Sequence, residues 1–284
     1  MQVQNHREDT HTVLAQAGIF DSGLGGLTVV RALRERAPSL PIFYMADTAR
    51  FPYGERMAEE VEERVVAVGQ SLVDRGCTIL VVACNTASSA ALDRLRAELP
   101  VPIVGMEPPL KPAVAESMTG KVIVLTTVGT AKGDRLARLE AEHAMGVMVH
   151  TVPMPGLADL IENGLVRDRR VFTMLDDATR GPVESGADAV ALGCTHYGFI
   201  EVVLRSVLPD HVAVIDAADA VARRTLAVLS EEGQLLTTGS PQPINYDVTG
   251  NRQDFSVAIG RLREMGEFLP DLVDIRALPI KEER

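Results

Sequence analysis

The sequence predicts an α/β protein of mainly parallel sheets flanked by helices, divided between two domains. Three observations carry that expectation. Apolar, strand-like runs alternate with amphipathic helical stretches along most of the chain, the pattern of βαβ units. The strand-like runs are near-continuous Val, Ile and Leu rather than alternately apolar and polar, as in sheets covered on both faces. At 284 residues the chain is also large for one hydrophobic core, so two domains of ordinary size follow.

Taken in order, strands are expected at Val13–Phe20, Pro41–Ala46, Thr78–Ala83 and Val101–Met106. Four more are expected at Lys121–Thr126, Gly146–Val152, Asp188–Leu192 and His211–Ile215. Between them, apolar residues spaced i, i+3 and i+4 predict helices. Thr28–Arg36 carries Val29, Val30 and Leu33, and Glu59–Arg75 carries Val61, Val65, Val68 and Leu72. The same spacing marks Ala87–Glu98, Lys132–His143, Arg170–Ser185 and Ala217–Ser230. Pro108, Pro109 and Pro112 interrupt helix and mark a crossing between domains. The chain is expected to cross back near Val214–Ala217. Glu232–Pro243, rich in Gly, Thr, Ser and Pro, reads as a loop before a last short strand at Ile244–Gly250.

Composition narrows the function. The net charge of −11 argues against a nucleic-acid partner or an anionic membrane surface, because phosphate recognition needs clustered Lys and Arg. Three cysteines make no disulfide framework, and the odd count fits a reducing cytoplasm. No apolar run reaches the roughly 18 residues of a membrane span. The first residues are polar, with no apolar segment of a signal peptide, so residues 1–16 are expected to be a disordered extension.

Two of the cysteines sit in matching contexts. Thr78–Ala83 leads into Cys84-Asn85-Thr86 and then a helix; Ala189–Gly193 leads into Cys194-Thr195-His196 and a second helix start. The repeated layout points to two similar halves. A thiol between a strand end and a helix start feels the positive end of the helix dipole, which favours thiolate. Ligand sites of α/β sheets lie at the carboxyl ends of strands, so the pair suggests one site with a thiol on each side of a substrate. A zinc site from Cys84, Cys194 and His196 is the competing reading, without a Cys-x-x-Cys or second clustered His to support it. Cys77, flanked by no such motif, reads as a small buried hydrophobe.

The segment Phe20-Asp21-Ser22-Gly23-Leu24-Gly25-Gly26 ends a strand in an acid and opens a helix through glycines. It matches neither the dinucleotide fingerprint nor the Walker loop. It reads as an amide-rich cradle for a carboxylate, with Asp21 and Ser22 facing a ligand ammonium or a thiol; Asp21 as a helix cap is the plainer alternative. Asp47 could order the loop before Pro52, and the Pro52-Tyr53-Gly54 loop could act as a lid whose hydroxyl reaches a ligand.

Four segments together resemble the glutamate racemases of the aspartate/glutamate racemase family. They are Phe20–Gly26, Ala46–Gly54, Ala83–Ser88 and Leu192–Tyr197, with weaker matches at Thr127-x-x-Thr130, Leu160-Ile161-Glu162 and Val248-Thr249-Gly250. The resemblance implies two similar α/β domains with the active site in the cleft between them. Residues 17–108 plus 217–268 would form the first domain, 109–216 the second, and 269–284 a C-terminal tail. It implies an isomerase that needs neither metal nor other cofactor, a cytoplasmic homodimer supplying D-glutamate for peptidoglycan. Cys84 and Cys194 would be the acid/base pair, Cys84 serving the D- and Cys194 the L-enantiomer, tuned by Asp21, Glu162 and His196. Asp21, Ser22, Pro52, Tyr53, Gly54, Asn85, Thr86, Thr127, Thr130, Thr195 and His196 would contact the amino acid. The chain departs from the family pattern at Gly198, Gly133 and Met154, where proline, serine and cysteine are common.

The chemistry such a site must perform is definite. Racemisation removes the Cα proton on one face and returns one on the other, which a single rigid base cannot easily do. A thiol, with an ordinary pKa of about 8.5, can serve as base or acid near neutrality once tuned. Without an electron sink, charge developing on the carboxylate needs preorganised donors, for which Asn85, Thr86, Thr195 and the Gly23–Gly26 turn are candidates. Racemisation of aspartate or another amino acid, and a non-catalytic amino-acid-binding module, are the other readings.

Overall fold

A computed structural model of the chain describes residues 14–234, 239–266, 269 and 275–277. The extension expected over residues 1–16 therefore falls outside the described residues as far as position 13, as do residues 235–238 and most of the expected tail.

The strands Ile79–Val82 and Ala189–Gly193 are fully buried apolar runs that end just before Cys84 and Cys194. In chain order the first half runs β1 (Ala17–Asp21), α1 (Leu27–Arg36), β2 (Ile42–Ala46), 3-10 turns at Thr48–Arg50 and Tyr53–Glu55, α2 (Ala58–Val73), β3 (Ile79–Val82), α3 (Asn85–Glu98) and β4 (Ile103–Gly105). There follow α4 (Leu110–Glu116), β5 (Lys121–Thr126), α5 (Val128–Lys132), α6 (Asp134–His143), β6 (Met148–Pro153), α7 (Leu157–Glu162) and α8 (Arg169–Glu184). Then come β7 (Ala189–Gly193), a 3-10 helix at Thr195–Ile200, α9 (Glu201–Val207), β8 (Ala213–Ile215), α10 (Ala218–Glu231), β9 (Ile244–Val248), α11 (Arg252–Glu264) and β10 (Ile275–Ala277).

The strands form two sheets, ordered β10-β9-β2-β1-β3-β4 and β6-β5-β7-β8, and every described pairing is parallel. Set side by side, β2-β1-β3-β4 and β6-β5-β7-β8 have the same order, so β3 and β7 are equivalent strands. In both sheets the order reverses direction at the first strand of the half, between β1 and β3 and between β5 and β7. That reversal opens a crevice at the carboxyl ends of the strands.

Alternation along each strand sends side chains to opposite faces. Phe20, Met45, Leu80 and Val82 pack with Val61, Val65, Leu92 and Leu95 of α2 and α3. Their neighbours Ile19, Tyr44, Ile79 and Val81 join Leu27, Val30, Val221 and Leu229 of α1 and α10. This second cluster continues into the other half through Ile123, Leu125, Val190, Leu192 and Tyr197. One core thus runs through both sheets and holds their strand ends toward each other.

Two expectations change here. The proline-rich crossing contains a helix, α4, because Pro112 stands in its first turn, where no intrahelical amide is lost. Within the expected tail, Ile275–Ala277 pairs with β9 as the edge strand of the first sheet.

Candidate active site

The two crevices face each other, and the residues at their strand ends form one site. β1 delivers Asp21, and β3 delivers Cys84 as the N-cap of α3, with the Ala87 amide donating to its sulfur at 3.5 Å. The Cys84 thiol donates to Ser22 Oγ at 3.8 Å. From the other sheet, β7 delivers Cys194, where the expected helix start is a 3-10 helix and the sulfur receives no capping hydrogen bond among the described residues. Its sulfur lies 3.8 Å from His196 Nδ1, whose Nε2 lies 2.8 Å from Glu162 Oε2.

The halves interlock through these groups. Thr195 Oγ1 donates to Asp21 Oδ2 at 2.9 Å, and the Leu24 amide donates to Glu162 Oε2 at 2.8 Å. The Gly23 amide donates to Asp21 Oδ1 at 2.7 Å. This corrects the expected role of the glycine turn. The Gly23 and Leu24 amides are taken by the protein's own carboxylates rather than left for a substrate. The glycines serve close approach instead: a Cβ at Gly23 would strike the Glu162 carboxylate, and one at Gly25 the His196 ring and, at 2.6 Å, Thr195 Oγ1. Across the cleft the hydroxyls of Thr86, Thr127 and Thr130 lie 3.1–3.3 Å apart in a triangle, with Thr127 capping α5.

Between the thiols lies a cavity of about 20 Å³, room for about one water molecule. Ser22, Pro52, Tyr53, Gly54, Cys84, Asn85, Thr86, Thr127, Cys194, Thr195 and His196, all named above as candidate site residues, line it. Asp21, Thr130 and Glu162 are not on the wall but behind it, gripping residues that are. Phe51 and Ala158 also line it. Phe51 was not singled out in the sequence although it precedes Pro52, and its ring lies 5.4 Å, centre to centre, from that of His196. Ala158 carried no signal. Asn85 is 4% exposed, and both atoms of its amide lack a partner among the described residues. Such buried orphans are uncommon and costly unless something else pairs with them. The Tyr53 hydroxyl, expected to reach a ligand, instead donates to Asp47 at 2.6 Å.

Electrostatics divide the site. Burial, and then the Asp21 carboxylate, push the Cys84 thiol up to about 12, against the Ala87 amide and the Ser22 hydroxyl. The expected thiolate-favouring helix start is therefore overridden at Cys84 in the closed site, because one amide contact does not replace lost water. Burial also raises the Asp21 carboxyl, although His196 and the hydrogen bonds from Gly23 and Thr195 pull it down. Burial alone would lower the His196 imidazole, but the hydrogen bonds to Cys194 and Glu162 prevail and hold it well above its ordinary value. Cys194 thus faces a cation-forming ring, and Cys84 an acid.

The family model described as Asp/Glu/Hydantoin racemase matches residues 27–225. The chain is 44% identical over 230 residues to a glutamate racemase of Pseudomonas paraeruginosa, covering 81% of this chain and 87% of the relative. It is 39% identical over 247 residues to that of Roseiflexus, covering 86% and 91%. Among solved structures, a glutamate racemase isoform of Bacillus anthracis superposes with a TM-score of 0.81 at 32% identity, covering 95% of this chain and 99% of that one. The Escherichia coli glutamate racemase, in complex with L-glutamate and an activator, gives a TM-score of 0.82 at 28% identity and covers 95% and 100%.

Proposed function

The chain belongs to the Asp/Glu/hydantoin racemase family and is an isomerase of the amino-acid racemase class, and from that premise we propose that it interconverts L- and D-glutamate by proton transfer at Cα between two thiols. The observation that carries this reading is the placement of Cys84 and Cys194 on equivalent strands of facing sheets, lining one cavity.

From the L-enantiomer, Cys194 takes the Cα proton as thiolate while Cys84 gives its thiol proton to the opposite face. The electron pair left on Cα is delocalised into the α-carboxylate and is consumed by the new C–H bond. From the D-enantiomer the roles exchange. The high affinity of Cys84 for its proton suits it to start as the acid. His196, held well above its ordinary value by its hydrogen bonds to Cys194 and Glu162, stabilises negative charge as it forms on the neighbouring sulfur. The orphan amide of Asn85 and the Thr86 hydroxyl are the donors for the growing carboxylate charge. The cavity holds about one water molecule, so glutamate enters only after the site opens.

The same reading takes residues 17–108 with 217–268 as one domain and 109–216 as the other. It takes the enzyme as a cytoplasmic homodimer feeding D-glutamate to peptidoglycan, on the strength of the family likeness. Purified protein in D₂O, followed by the NMR signal of the Cα proton, tests the proposal. Loss of that signal is expected from both glutamate enantiomers. No exchange from either overturns the reading, and faster exchange from aspartate overturns the substrate.

A further inference from the structure

Outside the cavity, the carboxylate of Asp47 sits at the end of β2 with no exposed surface and accepts hydrogen bonds from three elements. Arg64 of α2 donates through Nε at 2.8 Å and Nη2 at 2.6 Å. The Tyr53 hydroxyl donates at 2.6 Å, and Thr249 Oγ1, after β9, donates at 2.6 Å. Tyr53 is itself 1% exposed and shares a buried cluster with Cys84, Val61 and Val65. The next residue meets the other half of the molecule. A Cβ on Gly54 would lie 3.0 Å from Thr127 Cβ, and one on Gly129 would lie 3.0 Å from the Gly54 carbonyl oxygen.

We propose that Arg64 is a positioning residue of the racemase: through Asp47 and Tyr53 it holds the Pro52–Gly54 wall of the cavity in place against Thr127. The inference rests on the glutamate racemase reading and adds to it a residue that does not touch the substrate. A bidentate guanidinium fixes a carboxylate in plane as well as in charge. With Asp47 fixed, the Tyr53 ring and the backbone that follows it have one place to be. Asp47 is also the acceptor for Thr249, so strand β9 is tied to the same point.

Arg64→Met keeps the stem and deletes both donors. The expected result is a KM for glutamate raised by about tenfold or more with kcat changed by less than about threefold, because the wall binds but does not react. A pH readout separates this from simple loosening. The groups facing Asp47 are Arg64, Tyr53 and Thr249, with Cys84 behind Tyr53. Despite burial, the Arg64 hydrogen bonds hold Asp47 below its ordinary value. Without them only the Thr249 and Tyr53 hydroxyls oppose burial, and Asp47 takes up a proton at higher pH, so the worsening of KM as pH falls sets in at a higher pH in the variant than in the unmodified enzyme. Arg64→Lys, which restores the charge without the planar fork, should return that onset to lower pH but recover only part of the affinity. In a Tyr53→Phe background the penalty of Arg64→Met should shrink below about threefold, since the linked pair is already broken.

Should Arg64→Met fail to fold, Tyr53→Phe and Arg64→Lys decide: Tyr53→Phe must by itself raise KM several-fold. The proposal is overturned by an unchanged KM in folded Arg64→Met, by an unchanged KM in Tyr53→Phe, or by a penalty that is the same in both backgrounds. The unmodified enzyme is assayed alongside. Its failure to turn over glutamate would overturn the function itself, whereas a normal parent beside an unaffected variant overturns only the role of Arg64.

Discussion

Cys84 at the end of β3 and Cys194 at the end of β7 occupy equivalent places in sheets of one strand order, yet their neighbours differ in kind. Cys84 caps a regular α-helix of 14 residues and lies near the acidic Asp21. Cys194 opens a 3-10 helix and faces His196, with Glu162 behind it. The shared topology places two thiols on the wall of one cavity, and the unlike surroundings set Cys84, whose proton burial holds, against Cys194 beside the His196 ring.

The largest test removes one side of the comparison at a time. Cys84→Ser and Cys194→Ser should each lower racemisation by about 10²–10⁴-fold, the range of a lost general acid or base, with thermal unfolding nearly unchanged. Circular dichroism from each enantiomer reads the loss. Near-full turnover in either variant would mean that the two strand ends are not the two bases.

Next comes the contact that joins them. Gly23→Ala would push its methyl into the Glu162 carboxylate and displace the group that holds His196. Turnover should fall by about 10²-fold, the cost of misplacing a reacting group by roughly an ångström, while Gly120→Ala, where a Cβ meets nothing within 4 Å among the described residues, should not affect it. Because Gly120 has a positive φ of 67°, that control can cost some stability.

A smaller effect sharpens the acidic side. The Asp21 carboxyl is raised above its ordinary value, chiefly by burial. A raised carboxyl makes the folded state bind more protons than the unfolded one, so stability is lost as pH rises from the unfolded value upward. Asp21→Asn should therefore unfold a few degrees higher at neutral pH, the advantage vanishing below about pH 3.9, the ordinary aspartate value. Without that neighbouring charge the Cys84 thiol should also titrate lower. A pH scan of melting temperature reads the first effect, and the pH profile of turnover from the D-enantiomer reads the second.

The smallest effect belongs to the third thiol. Cys77 is buried beside Gly18, and burial raises its pKa to about 11. Cys77→Ala should leave turnover intact and cost about 1 kcal/mol of stability, measured by urea unfolding.

How much of this could be read beforehand follows from the range of the interactions involved. Parallel strands covered on both faces give continuous apolar runs, so Ile79–Val82 and Ala189–Gly193 stood out, and the polar residues after them marked the strand ends. Short helices without a full apolar stripe, such as Leu157–Glu162, did not stand out. The use of the glycine turn was misread for a related reason. The partner of the Leu24 amide is Glu162, 138 residues away, and no local pattern shows that an amide is already taken. The same holds for Tyr53, whose hydroxyl is claimed by Asp47, and for the thiol of Cys84, where the helix start was visible but the depth of burial was not.

The central claim, one thiol on each face of one carbon, is tested most directly by labelling in D₂O at early conversion, run from each glutamate enantiomer separately. Two bases predict deuterium at Cα in the product enantiomer and protium in the recovered substrate, in both directions. Product that retains the substrate's own Cα proton would show a single base returning what it took, and would contradict the account.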